Sequence, residues 1–277
     1  MRTLLLIDNG SRRADSTRNL RRLAVLLSGR VGAPVQPVSL LHSDQIPADL
    51  LDGQPADTLA PALRRLLVQG AREFILVPLF FGPSRALTQF IPDTAAILAR
   101  EFDPFRLLIA PELCPLPEGE PRLVEILAEH VEQTAVVSGN PTSRVVLVDH
   151  GSPIPEVTAV RYWLGGRLAQ RLGPEVRIGQ AVMERRAGAA YDFNGPLLED
   201  HLRAMADTDR ANPVILAILF LSAGRHAGPG GDIADIIRRV ESDYSGFKVY
   251  PSPLIGSHPA LIDILWSRLN RFNDDAD

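Results

Sequence analysis

The sequence lacks several features that define whole classes of protein. Its only cysteine, Cys114, excludes an internal disulfide framework, a cysteine-only zinc site and a protein-ligated iron–sulfur cluster. No apolar run approaches the roughly 20 residues that a membrane-spanning helix needs. The N-terminus passes directly from Met1 and Arg2 into a strand-like TLLLI, without the longer apolar core of a signal peptide. These absences predict a cytoplasmic protein without a membrane partner.

The sequence also lacks an excess of positive charge. The formal net charge is -4, so the chain shows no basic surface for a nucleic acid. Hydrophobic residues make up 45% and charged residues 22% of the chain, as in ordinary globular proteins. A length of 277 residues favours two domains. We expect a monomer or weak homodimer that binds a small molecule and no nucleic acid.

The chain contains a long-period internal repeat, the sequence signature of a duplicated fold. Three pairs of segments match at nearly constant offsets: LLLIDNGS at 4–11 with VVLVDHGS at 145–152 (145 − 4 = 141), REFILVPLFFG at 72–82 with NPVILAILFLS at 212–222 (212 − 72 = 140), and PRLVEILAEHV at 121–131 with PALIDILWSRL at 259–269 (259 − 121 = 138). The polar stretch SGNPTS at 138–143 separates the copies. We therefore predict one lobe at 1–137 and a second at 138–277.

Each half alternates apolar runs with stretches of helical spacing. The runs that predict buried strands are TLLLID, APVQPVSLL, FILVPLFF and FRLLIA in the first half, and VVLVD, VRIGQAVM, VILAILFL and FKVYPSP in the second. Continuous apolar strands, each followed by an amphipathic helix, are typical of parallel sheets covered on both faces. The predicted fold is α/β: two duplicated lobes, each a four-stranded parallel sheet flanked by helices.

Two histidines and a glutamate follow the first three predicted strands of the second half. His150 and His226 come directly after apolar strands, and Glu184 closes the run VRIGQAVME. Ligands bind beyond the carboxyl ends of strands in open α/β sheets, so the three side chains are expected to converge. Two imidazoles and a carboxylate suit a divalent first-row metal. With bond lengths near 2.0–2.1 Å, the two imidazole nitrogens would lie about 3–4 Å apart.

Simpler interpretations remain open for the same residues. Glu184 alone is typical of the first exposed residue of a loop, and His150 could merely cap its strand while His226 belongs to a loop. The two rings would then lie more than roughly 10 Å apart, too far to share one ion. The glycine-rich loop around His226 lacks the spacing and the lysine of phosphate-binding motifs, so phosphate binding ranks below a metal or macrocycle role.

Three other histidines fall in patterns that favour structural roles. His130 and His201 lie among charged neighbours in helical stretches, which predicts solvated helix faces. His258 stands between Ser257 and Pro259 before the last helix, which predicts a capping or loop role.

The first half provides an internal control for the candidate site. Asn9 stands where His150 stands, Ala86 aligns with His226 (226 − 86 = 140), and His42 falls near the place of Glu184. Both imidazoles are absent from this copy while the scaffold is retained. The second lobe is therefore predicted to carry the site.

The motifs resemble those of the class II tetrapyrrole chelatases. The features that carry the resemblance are HGS after a strand, a strand that ends in glutamate, LFLxxGxH followed by an Asp-Ile pair, and PLIGSHPAL near the end. The sirohydrochlorin cobalt and iron chelatases, whose long forms fuse two copies of one α/β lobe, are the most similar branch. The resemblance covers both halves of the chain.

The resemblance implies a lyase-type enzyme that inserts Co²⁺ or Fe²⁺, with Ni²⁺ as a further candidate, into sirohydrochlorin or a related tetrapyrrole during cobalamin or siroheme biosynthesis. The metal is then a substrate, and no organic cofactor is expected. His150, Glu184 and His226 would be the catalytic and metal-binding residues. Residues that would contact the macrocycle are Ser152, Arg185, Gly224 and Arg225. The alternative is a non-catalytic protein that binds a tetrapyrrole or a metal; a two-lobed periplasmic-type binding protein is disfavoured because no export signal is seen.

The sequence departs from the family pattern in three places. The common GHGS is here DHGS, so Asp149 either adds a carboxylate to the site or accepts backbone hydrogen bonds. The loop AGPGG after His226 is longer than usual, and Glu184 is followed by RRAG. Arginines in these segments suit the carboxylates of an acidic tetrapyrrole, since guanidinium binds carboxylate in a bidentate fork. For Arg186, surface solubility is an equally good interpretation.

Overall fold

A computed structural model of the chain describes residues 2–274, with side chains described as far as residue 272. The described chain divides into two compact units: residues 2–115 with 259–274, and residues 116–258. None of the helices within residues 2–274 has the length and apolar character needed to cross a membrane.

The first unit is built on a parallel sheet with the strand order β2-β1-β3-β4. The strands are β1 (Thr3–Asp8), β2 (Val35–Ser39), β3 (Glu73–Pro78) and β4 (Arg106–Ile109). The helices of the same stretch of chain are α1 (Ala14–Val31), α2 (Leu59–Val68) and α3 (Ile91–Leu98). Strand residues such as Leu5 and Ile7 form one core with α2 and α3. All four strands were predicted from apolar runs, and the predicted fold class is confirmed.

The second unit repeats this architecture with the strand order β6-β5-β7-β8. The strands are β5 (Arg144–Asp149), β6 (Arg177–Val182), β7 (Val214–Ile218) and β8 (Val249–Pro251). The helices between these strands are α5 (Pro155–Leu172), α6 (Leu198–Thr208) and α7 (Asp232–Asp243). Val146 and Val148 of β5 share a core with α6 and α7. Helix α5 packs against β5 and β6 through buried residues outside that core.

The last helix of each sequence repeat belongs to the other compact unit. Helix α4 (Pro121–Ser138) follows the first sheet in the sequence but packs on α5 and β7. Helix α8 (Ala260–Asp274) follows the second sheet but packs on α1 and β3. The repeats predicted at 1–137 and 138–277 and the compact units therefore divide the chain at different places, because each sheet is covered by the other repeat's final helix.

The connections of the second sheet reverse direction beside β5. The chain leaves β5 through α5 to reach β6 on one side of β5. It then crosses through α6 to β7 on the other side of β5 and continues through α7. Loops that leave neighbouring strands toward opposite faces open a crevice at the carboxyl end of the sheet. The residues that follow β5 and β7 border this crevice.

Candidate metal site

His150 is the first residue after β5 and its side chain is exposed. The next residue, Gly151, has a backbone φ of 87°, a value that residues other than glycine rarely adopt. A Cβ on Gly151 would lie 1.9 Å from the backbone oxygen of Glu184. Glycine here allows the β5 and β6 loops to touch, and the Glu184 amide donates a hydrogen bond of 2.9 Å to the His150 carbonyl. The backbone thus fixes two of the candidate ligands side by side.

His226 lies in the loop between β7 and α7 and is buried, unlike His150 and Glu184. Its carbonyl accepts a hydrogen bond from the Ile233 amide. A Cβ on Gly231 would lie 2.7 Å from the same carbonyl oxygen, so glycine permits the close approach of the loop to the start of α7. The long AGPGG loop is therefore folded back on itself and holds the imidazole in place.

The three predicted ligands meet at the crevice. One ligand atom from each of His150, Glu184 and His226 can be chosen so that all three lie within 4.8 Å of one another. The two imidazole rings are 4.8 Å apart between centroids, with planes at 74°. Nε2 of His226 is 3.5 Å from Oε1 of Glu184. Rings this close exclude the interpretation in which His150 caps a strand far from a loop residue His226.

The protonation of His226 suits metal binding. Burial lowers the pKa of His226, and the neighbouring His150 lowers it further, against the opposite effect of Glu184 and Asp232. The imidazole is therefore held neutral at neutral pH, and neutral imidazole is the form that coordinates a metal.

Asp232 contacts the second nitrogen of the buried histidine. Its Oδ2 lies 2.8 Å from Nδ1 of His226, and Asp232 is the first residue of α7. Arg225 is near the same carboxylate, with Nε 3.4 Å away, and near Glu184, with NH1 3.2 Å away. Oδ2 of Asp232 and Nδ1 of His226 are at ion-pair distance, and within residues 2–274 this nitrogen makes no hydrogen bond of normal geometry. A carboxylate beside the outer nitrogen of a metal-binding histidine orients the ring. Asp232 was expected only as part of the Asp-Ile pair of a motif, and its contact with His226 was not predicted.

Asp149, the acidic residue directly before His150, forms a buried ion pair. Nε of Arg161 lies 3.2 Å from Oδ1 of Asp149, and the arginine side chain is fully buried. The same carboxylate oxygen accepts a hydrogen bond from the Gly151 amide. Burial raises the pKa of Asp149, and the positive charge of Arg161 opposes the rise. The structure supports the backbone-accepting role of Asp149 and does not place it among the clustered ligands.

A buried asparagine, Asn194, supports the loop that follows His150. Oδ1 of Asn194 accepts hydrogen bonds from the Ser152 amide and the Thr158 hydroxyl, and its amide group donates to the Ser152 carbonyl. The Asn194 carbonyl in turn accepts a hydrogen bond of 2.6 Å from Arg161. Neither Arg161 nor Asn194 was predicted to belong to the site. The sequence did contain a sign of the role of Arg161, because this charged residue lies on the same face of α5 as Leu164 and Leu168, and that face is buried.

The four residues predicted to contact the macrocycle differ in the hydrogen bonds and ion pairs that they already make within the protein. The hydroxyl of Ser152 accepts a hydrogen bond from the Ile154 amide before α5, and the Gly224 amide donates to the Ala227 carbonyl. Arg185 reaches Asp192 and the Gly195 carbonyl, both at 3.2 Å. The Arg225 side chain is 74% exposed despite its two carboxylate contacts. Of this set, Arg225 alone touches a clustered ligand.

In the first lobe, Leu41 occupies the place that corresponds to Glu184. A Cβ on Gly10 would lie 1.8 Å from the Leu41 carbonyl oxygen, just as one on Gly151 would approach Glu184. His42, which was expected near this place, is the next residue along the chain. His42 instead lies in a left-handed turn with φ of 69°. Asn9, Leu41 and Ala86 thus replace the three clustered ligands.

The predicted solvated positions of two histidines were wrong. His130 on α4 is buried, and its ring contacts that of His258 at 5.3 Å. His201 on α6 is half-buried, with Nε2 above Gly179, where a Cβ would approach it to 2.3 Å. Burial lowers the pKa of both rings. His258 lies before α8, as predicted, and Nε2 is 2.9 Å from Glu129.

Comparisons with known proteins match both repeats to one family. The profile of the CbiX family matches residues 3–134 and again residues 144–272. A search of the curated proteins finds no match.

Solved structures with the same fold include SirB from Bacillus subtilis with Fe³⁺, at a TM-score of 0.71, 17% identity and coverage of 100% of this chain and 98% of that chain. The sirohydrochlorin chelatase SirB from Bacillus subtilis subspecies spizizenii in complex with cobalt matches at a TM-score of 0.66 and 17% identity, covering 99% and 96% of the two chains. CbiX, described as the terminal enzyme for biosynthesis of siroheme in denitrifying bacteria, matches at a TM-score of 0.62 and 17% identity, covering 97% and 98%.

Proposed function

The chain belongs to the CbiX family, and from that premise we propose that it is a chelatase that inserts Co²⁺ or Fe²⁺ into sirohydrochlorin or a closely related acidic tetrapyrrole. The family resemblance inferred from the motifs is confirmed by the profile match to both repeats. The observation that carries the proposal for the site is the convergence of His150, Glu184 and His226 within 4.8 Å at the crevice.

The three side chains match the two chemical needs of metal insertion. The metal ion must exchange its waters for ring nitrogens, and two pyrrole N–H protons must leave the macrocycle as the ion enters. Two imidazoles and a carboxylate hold a first-row ion through three protein ligands, which leaves coordination positions open for the ring. As the ion passes to the ring, the imidazoles and the carboxylate become free to accept the pyrrole protons as general bases.

Specificity for an acidic macrocycle is proposed to come from basic side chains around the crevice. The exposed guanidinium of Arg225 lies 3.2 Å from Glu184, so a substrate carboxylate paired with Arg225 would sit beside the metal ligands. Arg185 and the backbone at Ser152 and Gly224 are further proposed contacts. Arg186 lies 3.2 Å from the Tyr191 hydroxyl, and for it a surface role remains equally suitable.

The reaction as proposed uses the metal and tetrapyrrole as substrates and needs no organic cofactor. We place it in the cytoplasm. We expect the protein to act as a monomer or weak homodimer.

The direct test is a spectral assay of metal insertion. Purified protein is mixed anaerobically with metal-free sirohydrochlorin and Co²⁺, Fe²⁺ or Ni²⁺, and the absorption change is timed against a protein-free control. Acceleration by the wild type but not by His226→Ala is expected, with His42→Ala as the matched histidine control in the first lobe. Tight macrocycle binding without any accelerated insertion would identify a non-catalytic binding protein and refute the chelatase proposal.

A further inference from the structure

A second cleft lies in the first unit, where β1 and β2 end. Its volume is about 400 Å³, against about 250 Å³ for the cavity that Glu184 and His226 line in the second unit. Six of the residues around it are Asn9, Leu41, Arg85, Gln89, Phe90 and Asp93. The duplicated fold has thus kept an opening at the carboxyl end of this sheet, although no histidine or cysteine lines it.

Each of the two clefts is lined by an arginine at the same position of the repeat, and in this cleft it is Arg85. It corresponds to Arg225 at the offset of this loop (225 − 85 = 140), although the neighbouring histidine has become Ala86. In the second unit, Arg225 lies within ion-pair distance of Glu184 and Asp232. The corresponding residues here are Leu41, by the contact with Gly10, and Pro92 (232 − 92 = 140). The first unit therefore lacks counterparts of Glu184 and Asp232, whereas it retains the arginine.

The N–H donors of the Arg85 guanidinium are therefore available to bind a ligand. Within residues 2–274, Arg85 has no ion-pair partner, and the side chain is exposed along the cleft. Guanidinium presents paired N–H donors that match the two oxygens of a carboxylate. A positive charge that lines a cavity and is not held in an ion pair can bind an anionic group of a ligand.

The rest of the lining limits the ligand further. Asn9 and Gln89 have exposed amide groups that can donate hydrogen bonds, while Leu41 and Phe90 provide apolar surface. A π-helical turn, Ala86–Phe90, carries three of the lining residues, and such turns are frequent at functional sites. Small-molecule sites characteristically combine apolar walls with a few placed polar groups.

One acidic residue, Asp93, also lines the cleft. It is exposed in the first turn of α3, where a carboxylate interacts favourably with the helix N-terminus. Its negative charge disfavours a doubly charged phosphate more than a singly charged carboxylate. We propose that this cleft is a metal-free binding pocket for a small molecule that carries a carboxylate on an apolar ring body. The inference is independent of the metal chemistry of the second unit.

The test compares 2-naphthoate with its neutral isostere 2-naphthamide as probes. Binding of each to the metal-free full-length protein is measured by titration calorimetry at low ionic strength. The wild type is expected to bind naphthoate about tenfold or more tightly than naphthamide, because the charged hydrogen bonds need the carboxylate. Arg85→Met should remove this preference, whereas Arg100→Met, an equal loss of charge on the exposed surface of the same unit, should change it less than about twofold.

A second variant separates the carboxylate pocket from other uses of the cleft. Asp93→Asn should bind naphthoate as tightly as the wild type or more tightly, because it removes a repulsive charge. Absence of saturable naphthoate binding, equal affinity for both probes, or an unchanged preference in Arg85→Met would each overturn the proposal. Weaker naphthoate binding by Asp93→Asn would also overturn it, since Asp93 would then be a binding group.

Discussion

Nε of Arg161 lies 3.2 Å from Oδ1 of Asp149, and the arginine side chain has no exposed surface. The corresponding pair in the first lobe is Asp8 and Leu20 (161 − 20 = 141), so the acid is kept and its cation is replaced by an apolar residue. The buried ion pair therefore accompanies the lobe that holds the histidines. It fixes the backbone of Gly151 directly after His150.

Arg161→Met is expected to lower the free energy of unfolding by about 3–5 kcal/mol, because it leaves Asp149 buried without its counter-charge. Urea unfolding followed by circular dichroism measures the change. Arg167→Met, on the exposed face of the same helix, should cost less than about 1 kcal/mol. The double change Asp149→Asn with Arg161→Met should recover part of the loss; a sum of two independent losses would contradict the pairing.

Asp8→Asn is expected to stabilise the protein at pH 7 by about 1–3 kcal/mol. Burial raises the pKa of Asp8 from 3.8 to about 6, and Oδ1 of this carboxyl has no hydrogen-bond partner in the part of the chain that the structure describes. Between these two pH values the unfolded chain releases a proton that the folded chain keeps. The contribution of Asp8 to stability is therefore complete below pH 3.8 and lost as the pH rises to about 6.

The measurement for Asp8 is urea unfolding of wild type and variant at several pH values. The gain from Asp8→Asn should be present at pH 7 and should shrink toward pH 4.5. Asp149→Asn is the matched control in the other lobe and should destabilise instead, because Arg161 loses its partner. A gain for both variants, or for neither, would show that the cation does not distinguish the two sites.

Asp232→Asn is expected to weaken Co²⁺ binding by about 10–100-fold, since outer carboxylates orient the histidines that coordinate metals. The contact concerned is the 2.8 Å approach of Asp232 to Nδ1 of His226. Titration calorimetry with Co²⁺ measures the affinity, and Asp243→Asn at the far end of the same helix is the control. Equal affinities in wild type and Asp232→Asn would show that the contact is incidental to metal binding.

The two histidines are expected to act as one unit in metal insertion. His150→Ala and His226→Ala should each remove most of the turnover, and the double variant should be scarcely slower than either, because such effects are non-additive. Initial rates of the spectral change, measured at matched protein concentrations, give the comparison. Losses that multiply in the double variant would mean that the two residues serve separate steps.

Much of the fold could be predicted because buried parallel strands have a distinctive sequence pattern. Strands covered on both faces appear as continuous apolar runs, and all eight were recognised from such runs. The clustered side chains were also accessible, because polar residues directly after strands of one sheet meet at its carboxyl edge.

The remainder depends on contacts that a sequence pattern does not specify. An amphipathic pattern shows that α4 and α8 have apolar faces, but not which sheet each face covers. The correspondence of Leu41 with Glu184 depends on where the backbone of Gly10 touches the next loop, and a nearly constant offset is too coarse to show it. Asp232 follows His226 by six residues, and only the folded loop brings their side chains together.

The exchange of final helices has a consequence for the order in which the protein is completed during synthesis. Every residue of the second unit has been made once the chain reaches His258, whereas the first unit still lacks the helix that packs on α1 and β3. Multidomain chains generally fold from the N-terminus onward as they emerge. Of the two compact units, the one that begins earlier in the sequence is therefore completed later. Until residues 260–274 are made, the surfaces of α1 and β3 that receive α8 stay uncovered, while the unit with the histidines has its full complement of residues.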